Sequence, residues 1–135
     1  TTTGEQEARL MGKWLSKAAE HIDCIVVSPY VRAQQTAKLV QQTLSYDVKI
    51  ETLDMITPSG SATLVHDYLD GLLAVNQYQT VLFVSHMPFV SYFVAELTYD
   101  SQAPIFQTAG IAHIQYDEAS MKGELACLIS PFDLC

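Results

Sequence analysis

Two motifs in this sequence contain residues that could carry chemistry. In the first, an arginine follows a Ser-Pro pair. Ser28 and Pro29 end the apolar run Cys24–Val27, and Arg32 follows within one helical turn. A helix that begins here, with Ser28 as N-cap, leaves unpaired N–H groups and a partial positive charge at its N-terminus. A guanidinium binds two phosphate oxygens together. The motif therefore predicts a local phosphate site; the alternative is that Arg32 is a surface residue in a weak ion pair.

The second motif places a histidine at the end of the most hydrophobic strand candidate. It reads Val84-Ser85-His86-Met87-Pro88, and Pro88 can again open a helix. An imidazole can be a cation beside phosphate or transfer a proton near neutral pH. The alternative is a histidine whose ring is hydrogen-bonded to the backbone at a strand end. Because ligands bind beyond the carboxyl ends of parallel strands, we expect Arg32 and His86 to share one site.

Alternating helical and extended patterns predict the scaffold that positions these two residues. Continuous apolar strands favour parallel pairing, and strands that alternate with helices favour an α/β fold. We expect a three-layer sandwich, with a mostly parallel central sheet and helices on both faces. A polar turn that contains Gly123 is predicted between the last two strands. The predicted helices are 3–19, 30–44, 64–72 and 88–97, and the predicted strands are 24–27, 48–53, 80–85, 111–116 and 124–129.

Composition limits the partners of this fold. The 135 residues fit one domain, 1–135, and the net charge is −8 with seven Lys plus Arg, which argues against binding nucleic acid. No apolar run approaches the roughly 20 residues needed to cross a bilayer, so no membrane partner is expected. The three cysteines lack metal-type spacing and indicate a reducing, cytoplasmic compartment. No metal or other cofactor is expected, because no ligand cluster or nucleotide-binding motif is present.

Taken together, the two motifs resemble a known family. Ser-Pro-x-x-Arg-Ala-x-Gln-Thr-Ala from Ser28, followed by Ser-His-x-Pro-x-Val from Ser85, resembles the histidine phosphatase superfamily, also called phosphoglycerate-mutase-like. The opening Thr-x-x-Gly is similar to the segment that follows the first strand in that family. The short length, the Leu-Asp-Met-Ile-Thr-Pro-Ser-Gly loop and the C-terminal Ser-Pro most resemble its bacterial protein-phosphohistidine phosphatase branch.

This resemblance implies roles for three residues. Arg32 matches the second phosphate-binding arginine of the family, and His86 matches the second pocket histidine, which binds phosphate and stabilises charge during transfer. The family's nucleophile is a histidine in an Arg-His-Gly motif on the first strand, and the chain contains no such motif. We therefore expect an N-terminally truncated domain that lacks the first strand, with its nucleophile upstream of residue 1. Asp54 stands where many members have an acidic proton donor; it is a candidate weak acid or a solvated loop residue.

The function that the resemblance implies is removal of phosphate from histidine on a phosphotransfer protein. The reaction would pass through a phosphohistidine enzyme intermediate and release inorganic phosphate, in a cytoplasmic phosphorelay of bacterial signal transduction. We expect the complete protein to be this hydrolase and the 135-residue chain alone to be inactive. Two alternatives remain open: a phosphatase of small phosphomonoesters in the same superfamily, and a non-catalytic domain or fragment that binds phosphorylated proteins.

Overall fold

A computed structural model describes residues 2–18, 21–57, 59–99 and 111–129. Each predicted helix and strand is present, so the helical and extended patterns are confirmed. None of the described helices is long and apolar enough to cross a membrane. The helices are α1 (Thr2–Ala18), α2 (Val31–Thr43), α3 (Ala62–Asn76) and α4 (Phe89–Leu97), and the strands are β1 (Cys24–Val27), β2 (Lys49–Thr52), β3 (Val81–Val84), β4 (Ile111–Asp117) and β5 (Lys122–Ile129).

Three strands form a parallel sheet in the order β2-β1-β3. Val27 lies opposite Thr52 on one side and Val84 on the other, so all three strands end at the same edge. The central strand β1 is fully buried, whereas every residue of β2 is at least partly exposed. The parallel pairing and the solvent-facing β2 confirm what the apolar and alternating patterns predicted.

The side chains of β1 point alternately into two cores. Ile25 and Val27 pack with the helix pair α1 and α2, and Cys24 and Val26 pack with α3 and α4. The predicted three-layer sandwich with helices on both faces is therefore confirmed. The first core also contains Leu15, Ala33, Ala37, Val40 and Leu44, and the second contains Val65, Leu69, Leu73, Phe89, Phe93 and Leu97.

Strands β4 and β5 form an antiparallel hairpin outside this parallel sheet. The prediction that Gly123 lies in the turn is wrong: the turn covers 118–121, and Gly123 is the second residue of β5. A Cβ at Gly123 would lie 2.6 Å from Cγ2 of Ile114 and 2.7 Å from the carbonyl oxygen of Gln115. The close approach of the partner strand therefore requires glycine here. The N–H of Tyr99 donates to the carbonyl of Gly123 at 3.2 Å, which ties the hairpin to the end of α4.

A cleft lies between the parallel sheet and the hairpin. Residues 81–84 of β3 and 111–116 of β4 line it. Within the described part of the chain, the strand that pairs with β3 is β1, and the other side of β3 faces this cleft. The residues that follow β3, 85–87, line the same space together with Arg32, and the candidate site lies there.

Candidate active site

Backbone hydrogen bonds continue past the ends of the three parallel strands and hold the loops that follow. The N–H of Ser28 donates to the carbonyl of Val84 at 3.1 Å, and the N–H of Leu53 donates to the carbonyl of Val27 at 2.9 Å. Ser28 and the residues after Val84 are therefore held side by side. This pairing brings the two sequence motifs together.

The contact between the motifs is a hydrogen bond between a serine and a histidine. Ser28 is fully buried, and its Oγ lies 3.0 Å from Nε2 of His86. The same oxygen accepts the N–H of Tyr30 at 3.2 Å. The Tyr30 ring lies against the imidazole, with ring centroids 5.0 Å apart and planes inclined by 57°. His86 is thus held at its edge by a hydroxyl and on its face by an aromatic ring.

Ser28 does not cap α2 as the sequence predicted. The helix begins at Val31, and its N-cap residue is Tyr30, which has an extended backbone and makes no side-chain capping bond. The backbone bends at Pro29 and Tyr30 before the helix begins. The hydroxyl of Ser28 therefore accepts the N–H of Tyr30 and does not bond to an N–H of the helix. The N–H groups of the first turn of α2 therefore receive no bond from the N-cap side chain.

Gln34 ties two of the strand ends together. Its Nε2 donates to the carbonyl of Ser28 and to Oγ1 of Thr52, both at 2.9 Å. One amide on α2 thus fixes the ends of β1 and β2 relative to each other. The sequence analysis missed this role, because nothing local distinguishes Gln34 from a solvated glutamine on a helix.

Arg32 is exposed in the first turn of α2 and lines the same cleft as His86. In the described residues, no carboxylate lies within ion-pair distance of its guanidinium. The alternative, in which Arg32 forms a surface ion pair, therefore lacks a carboxylate partner among the described residues. The positive charge of Arg32 is available to bind an anion. The structure therefore brings the predicted pair into one cavity.

Two buried polar atoms at the end of β3 have no hydrogen-bond partner in the described part of the protein: Oγ of Ser85 and Nδ1 of His86. Both residues line the cleft. Buried polar atoms without partners are rare in folded proteins. Two residues that line the cleft therefore each carry a polar atom whose hydrogen bonds are unmet in the described residues.

Asp54 does not belong to this arrangement. It is exposed in the turn after β2 and is not among the residues that line the cleft with Arg32 and His86. Cys24 offers no nucleophile either, because burial, with a smaller contribution from the charge of Glu51, raises the pKa of its thiol to about 11. Within the described ranges, no three His, Cys, Asp or Glu side chains are grouped to hold a metal ion.

Comparison with known proteins identifies the relatives of this chain. Residues 1–55 match the Histidine phosphatase superfamily (branch 1). Phosphohistidine phosphatase SixA of Escherichia coli (strain K12) is 38% identical over 134 residues, which cover 99% of this chain and 82% of that protein. The chain belongs to the histidine phosphatase superfamily. A SixA homolog of Haemophilus influenzae is 41% identical over 125 residues, which cover 87% of this chain and 75% of that protein.

The fold agrees with this membership. The structure of the protein histidine phosphatase SixA complexed with tungstate matches with a TM-score of 0.93 at 38% identity, covering 100% of this chain and 85% of that chain. The predicted resemblance to the superfamily is confirmed, and so are the phosphoglycerate-mutase-like fold and the expectation of a phosphatase.

This histidine phosphatase also contains a second polar cluster, which neither of the two sequence motifs includes. We call it the His66 cluster: His66 and Asp70 on α3, Glu96 on α4 and Tyr116 on β4. Nδ1 of His66 lies 2.7 Å from Oε2 of Glu96, and its Nε2 lies 2.7 Å from the hydroxyl of Tyr116. The partners of His66 are 30 and 50 residues away in sequence, so no local spacing could reveal them.

The directions of these hydrogen bonds define the chemistry of the His66 cluster. The hydroxyl of Tyr116 donates to Oδ1 of Asp70, so its oxygen accepts from Nε2 of His66. The carboxylate of Glu96 can only accept, so Nδ1 donates as well. The hydrogen bond from His66 lowers the pKa of Glu96. Burial, followed by the bond to Asp70, raises the pKa of Tyr116. The His66 cluster thus joins two helices to the hairpin.

Proposed function

We propose that the complete protein hydrolyses phosphohistidine on a protein substrate, and that Arg32 and His86 bind the phosphoryl group. The observation that carries this proposal is that Arg32, which has no carboxylate partner in the described residues, lines one cleft with His86 at the ends of the parallel strands. The name of the Escherichia coli relative, phosphohistidine phosphatase, supports the same reaction.

The charges of the cleft suit a phosphoryl group in transfer. Phosphoryl transfer depends on positioning and on stabilising the charge of the equatorial oxygens. The guanidinium of Arg32 can bind two of these oxygens, and the N–H groups in the first turn of α2 add a partial positive charge. His86 supplies a ring N–H from the end of β3. Tungstate, which a SixA structure holds, is a tetrahedral oxyanion like phosphate and supports an anion site of this kind.

The nucleophile that we propose is a histidine upstream of residue 1, on a segment that reaches the cleft. Its ring nitrogen would attack phosphorus, forming a new N–P bond as the N–P bond to the substrate histidine breaks. The substrate imidazole leaves with the bonding electrons and takes up a proton. A water molecule then attacks the phosphorus of the phosphohistidine enzyme. The N–P bond to the enzyme histidine breaks, and inorganic phosphate is released. An imidazole is a good leaving group, so the position of Asp54 away from the cleft is compatible with this substrate.

The surroundings of the site favour a protein over a small phosphomonoester. Tyr30, Val31 and Met87 have exposed side chains next to His86 and Arg32 in the sequence. Apolar and aromatic groups of this kind are typical of protein contact surfaces. A small, highly charged substrate would need further cations, and the chain has seven Lys plus Arg in all. We therefore propose that a phosphoprotein approaches over this apolar rim.

Turnover by the complete protein tests the proposal. Hydrolysis of a histidine-phosphorylated phosphotransfer protein is compared with hydrolysis of common sugar phosphates. We expect Arg32→Ala and His86→Ala each to lower kcat/KM for the phosphoprotein about 100-fold or more, because each removes a group that stabilises the transferring phosphoryl. Arg9→Ala is the matched control, since Arg9 is exposed on α1 and is not among the residues that line the cleft.

Two results would contradict the proposal. Faster turnover of sugar phosphates would replace the phosphoprotein substrate with a small phosphomonoester. Near-normal activity of Arg32→Ala or His86→Ala, with the same fold by circular dichroism, would remove that residue from the mechanism.

A further inference from the structure

We propose that Ser28 is a positioning residue that fixes the tautomer of His86, so that Nδ1 of the neutral ring carries the proton and donates to the phosphoryl group. Only the kinetic consequence rests on the proposed function. The tautomer itself follows from the hydrogen bonds around one buried hydroxyl.

The hydroxyl of Ser28 has one acceptor for its proton. Ser28 is fully buried, so water does not reach its side chain. Its oxygen already accepts the N–H of Tyr30 at 3.2 Å. In the described part of the structure, the one other atom within hydrogen-bond distance of Oγ is Nε2 of His86, at 3.0 Å. A buried hydroxyl that does not donate leaves a polar hydrogen unsatisfied, so the O–H of Ser28 donates to Nε2.

The direction of this bond decides which ring nitrogen of His86 carries the proton. Nε2 accepts through its lone pair, so the proton of the neutral ring is on Nδ1. Nδ1 is buried without a partner in the described residues, and His86 lines the cleft that Arg32 also lines. With the opposite tautomer, Nδ1 would present a lone pair to the anionic oxygens and repel them. Ser28 therefore converts the orphaned nitrogen of His86 into a hydrogen-bond donor.

Neighbouring residues hold both members of this pair in place. Gln34 donates to the carbonyl of Ser28 at 2.9 Å, and the N–H of Ser28 donates to the carbonyl of Val84 at 3.1 Å. The Tyr30 ring packs against the imidazole in a tilted arrangement. The hydroxyl of Ser28 is already engaged by the N–H of Tyr30 and by Nε2 of His86, so its effect acts through His86.

Nitrogen-15 NMR of the complete protein, labelled at histidine, tests the tautomer directly. Spectra are recorded in the alkaline range, at pH values where the ring nitrogen shifts no longer change with pH. The shifts of the two ring nitrogens distinguish a protonated nitrogen from one with a lone pair. We expect Nδ1 of His86 to be protonated in the unaltered protein and Nε2 to become protonated in a larger fraction of molecules in Ser28→Ala.

Kinetics of the same variants give the functional consequence. We expect Ser28→Ala to lower kcat on a histidine-phosphorylated protein about 10-fold to 100-fold with a smaller change in KM, because the misplaced donor is needed mainly in the transition state. Ser28→Thr keeps the hydroxyl and should restore both the tautomer and most of kcat. Thr98→Val is the matched control, since it removes another buried hydroxyl, at the far end of α4.

The outcomes separate this inference from the proposed function. Either of two results overturns the role of Ser28, even if the phosphatase is fully active. The first is a protonated Nε2 in the neutral ring of the unaltered protein, and the second is an unchanged tautomer in Ser28→Ala. The predicted spectra support that role even if the phosphoprotein is not hydrolysed. If Ser28→Thr fails to fold in an unfolding titration, the spectra of Ser28→Ala still decide.

Discussion

Replacing Tyr116 by phenylalanine tests whether the His66 cluster holds the hairpin to the helices. The substitution removes one oxygen and leaves the ring, so little packing is lost. That oxygen donates to Asp70 and accepts from Nε2 of His66 at 2.7 Å. The side chain of His66 is 8% exposed, so water cannot readily replace the lost partner. The variant thus leaves a buried ring N–H and a carboxylate with unmet hydrogen bonds.

The size of the effect follows from these two losses. A hydrogen bond to a charged group contributes about 1.5–3 kcal/mol, and a buried donor left unsatisfied costs about 1–3 kcal/mol. The two terms do not add fully, because Oδ2 of Asp70 lies 3.5 Å from Nε2 of His66 and can move closer. We expect Tyr116→Phe to lower the free energy of unfolding by about 2 kcal/mol. For a domain of this size that corresponds to a fall in Tm of roughly 8 °C.

Urea unfolding of the complete protein, followed by circular dichroism, measures this difference. Tyr99→Phe is the matched control, because the hydroxyl of Tyr99 bonds to Oγ of Ser120 at 2.7 Å on the exposed surface. The control should change the free energy of unfolding by less than about 0.5 kcal/mol. A loss for Tyr116→Phe no larger than that of Tyr99→Phe would refute the reasoning, since the hydroxyl of Tyr116 would then contribute no more than a solvated one.

Two further predictions concern stability. The hydrogen bond from His66 lowers the pKa of Glu96 below its ordinary 4.5, so this carboxylate stabilises the fold above that pH and its contribution is lost as pH falls through the lowered value. Glu96→Gln should therefore flatten the fall of Tm in acid, and parallel curves of Tm against pH would contradict this. A Cβ at Gly12 on α1 would clash with Oγ1 of Thr43 on α2 and lie 3.3 Å from its Cγ2. Gly12→Ala should lower the free energy of unfolding by about 1–2 kcal/mol, and adding Thr43→Ala should restore most of it in urea titrations; no recovery would exclude a clash.

The sequence predicted the scaffold because its signals are local. The continuous apolar run of β1 and the alternation of apolar and charged residues in β2 reflect how much of each strand is buried. The Gly123 prediction failed for a non-local reason. Glycine is required because a Cβ at this position would clash with the side chain of Ile114 and the carbonyl of Gln115 on the partner strand. The conformation of a turn is not the reason.

The site was predictable to the extent that it depends on strand ends. Arg32 and His86 could be paired because parallel strands bring their carboxyl ends to one edge. The bond from Ser28 to His86 spans 58 residues, and the spacing within each motif carries no information about it. Asp54 was selected by its place after β2, yet the turn leaves it exposed and outside the cleft. Position along the chain predicted which strand end a residue follows, and tertiary packing decided where its side chain lies.

The two outer sides of the parallel sheet differ in how they would meet another polypeptide. On β2, Nζ of Lys49 lies 2.7 Å from Oε1 of Glu51, and this charged pair discourages an added strand. The side of β3 that faces the cleft, Val81–Val84, carries no charge, and its residues all have high β-propensity or are apolar. Of the two outer strands in the described sheet, β3 therefore offers the apolar edge to an incoming strand, whereas charge protects the edge of β2.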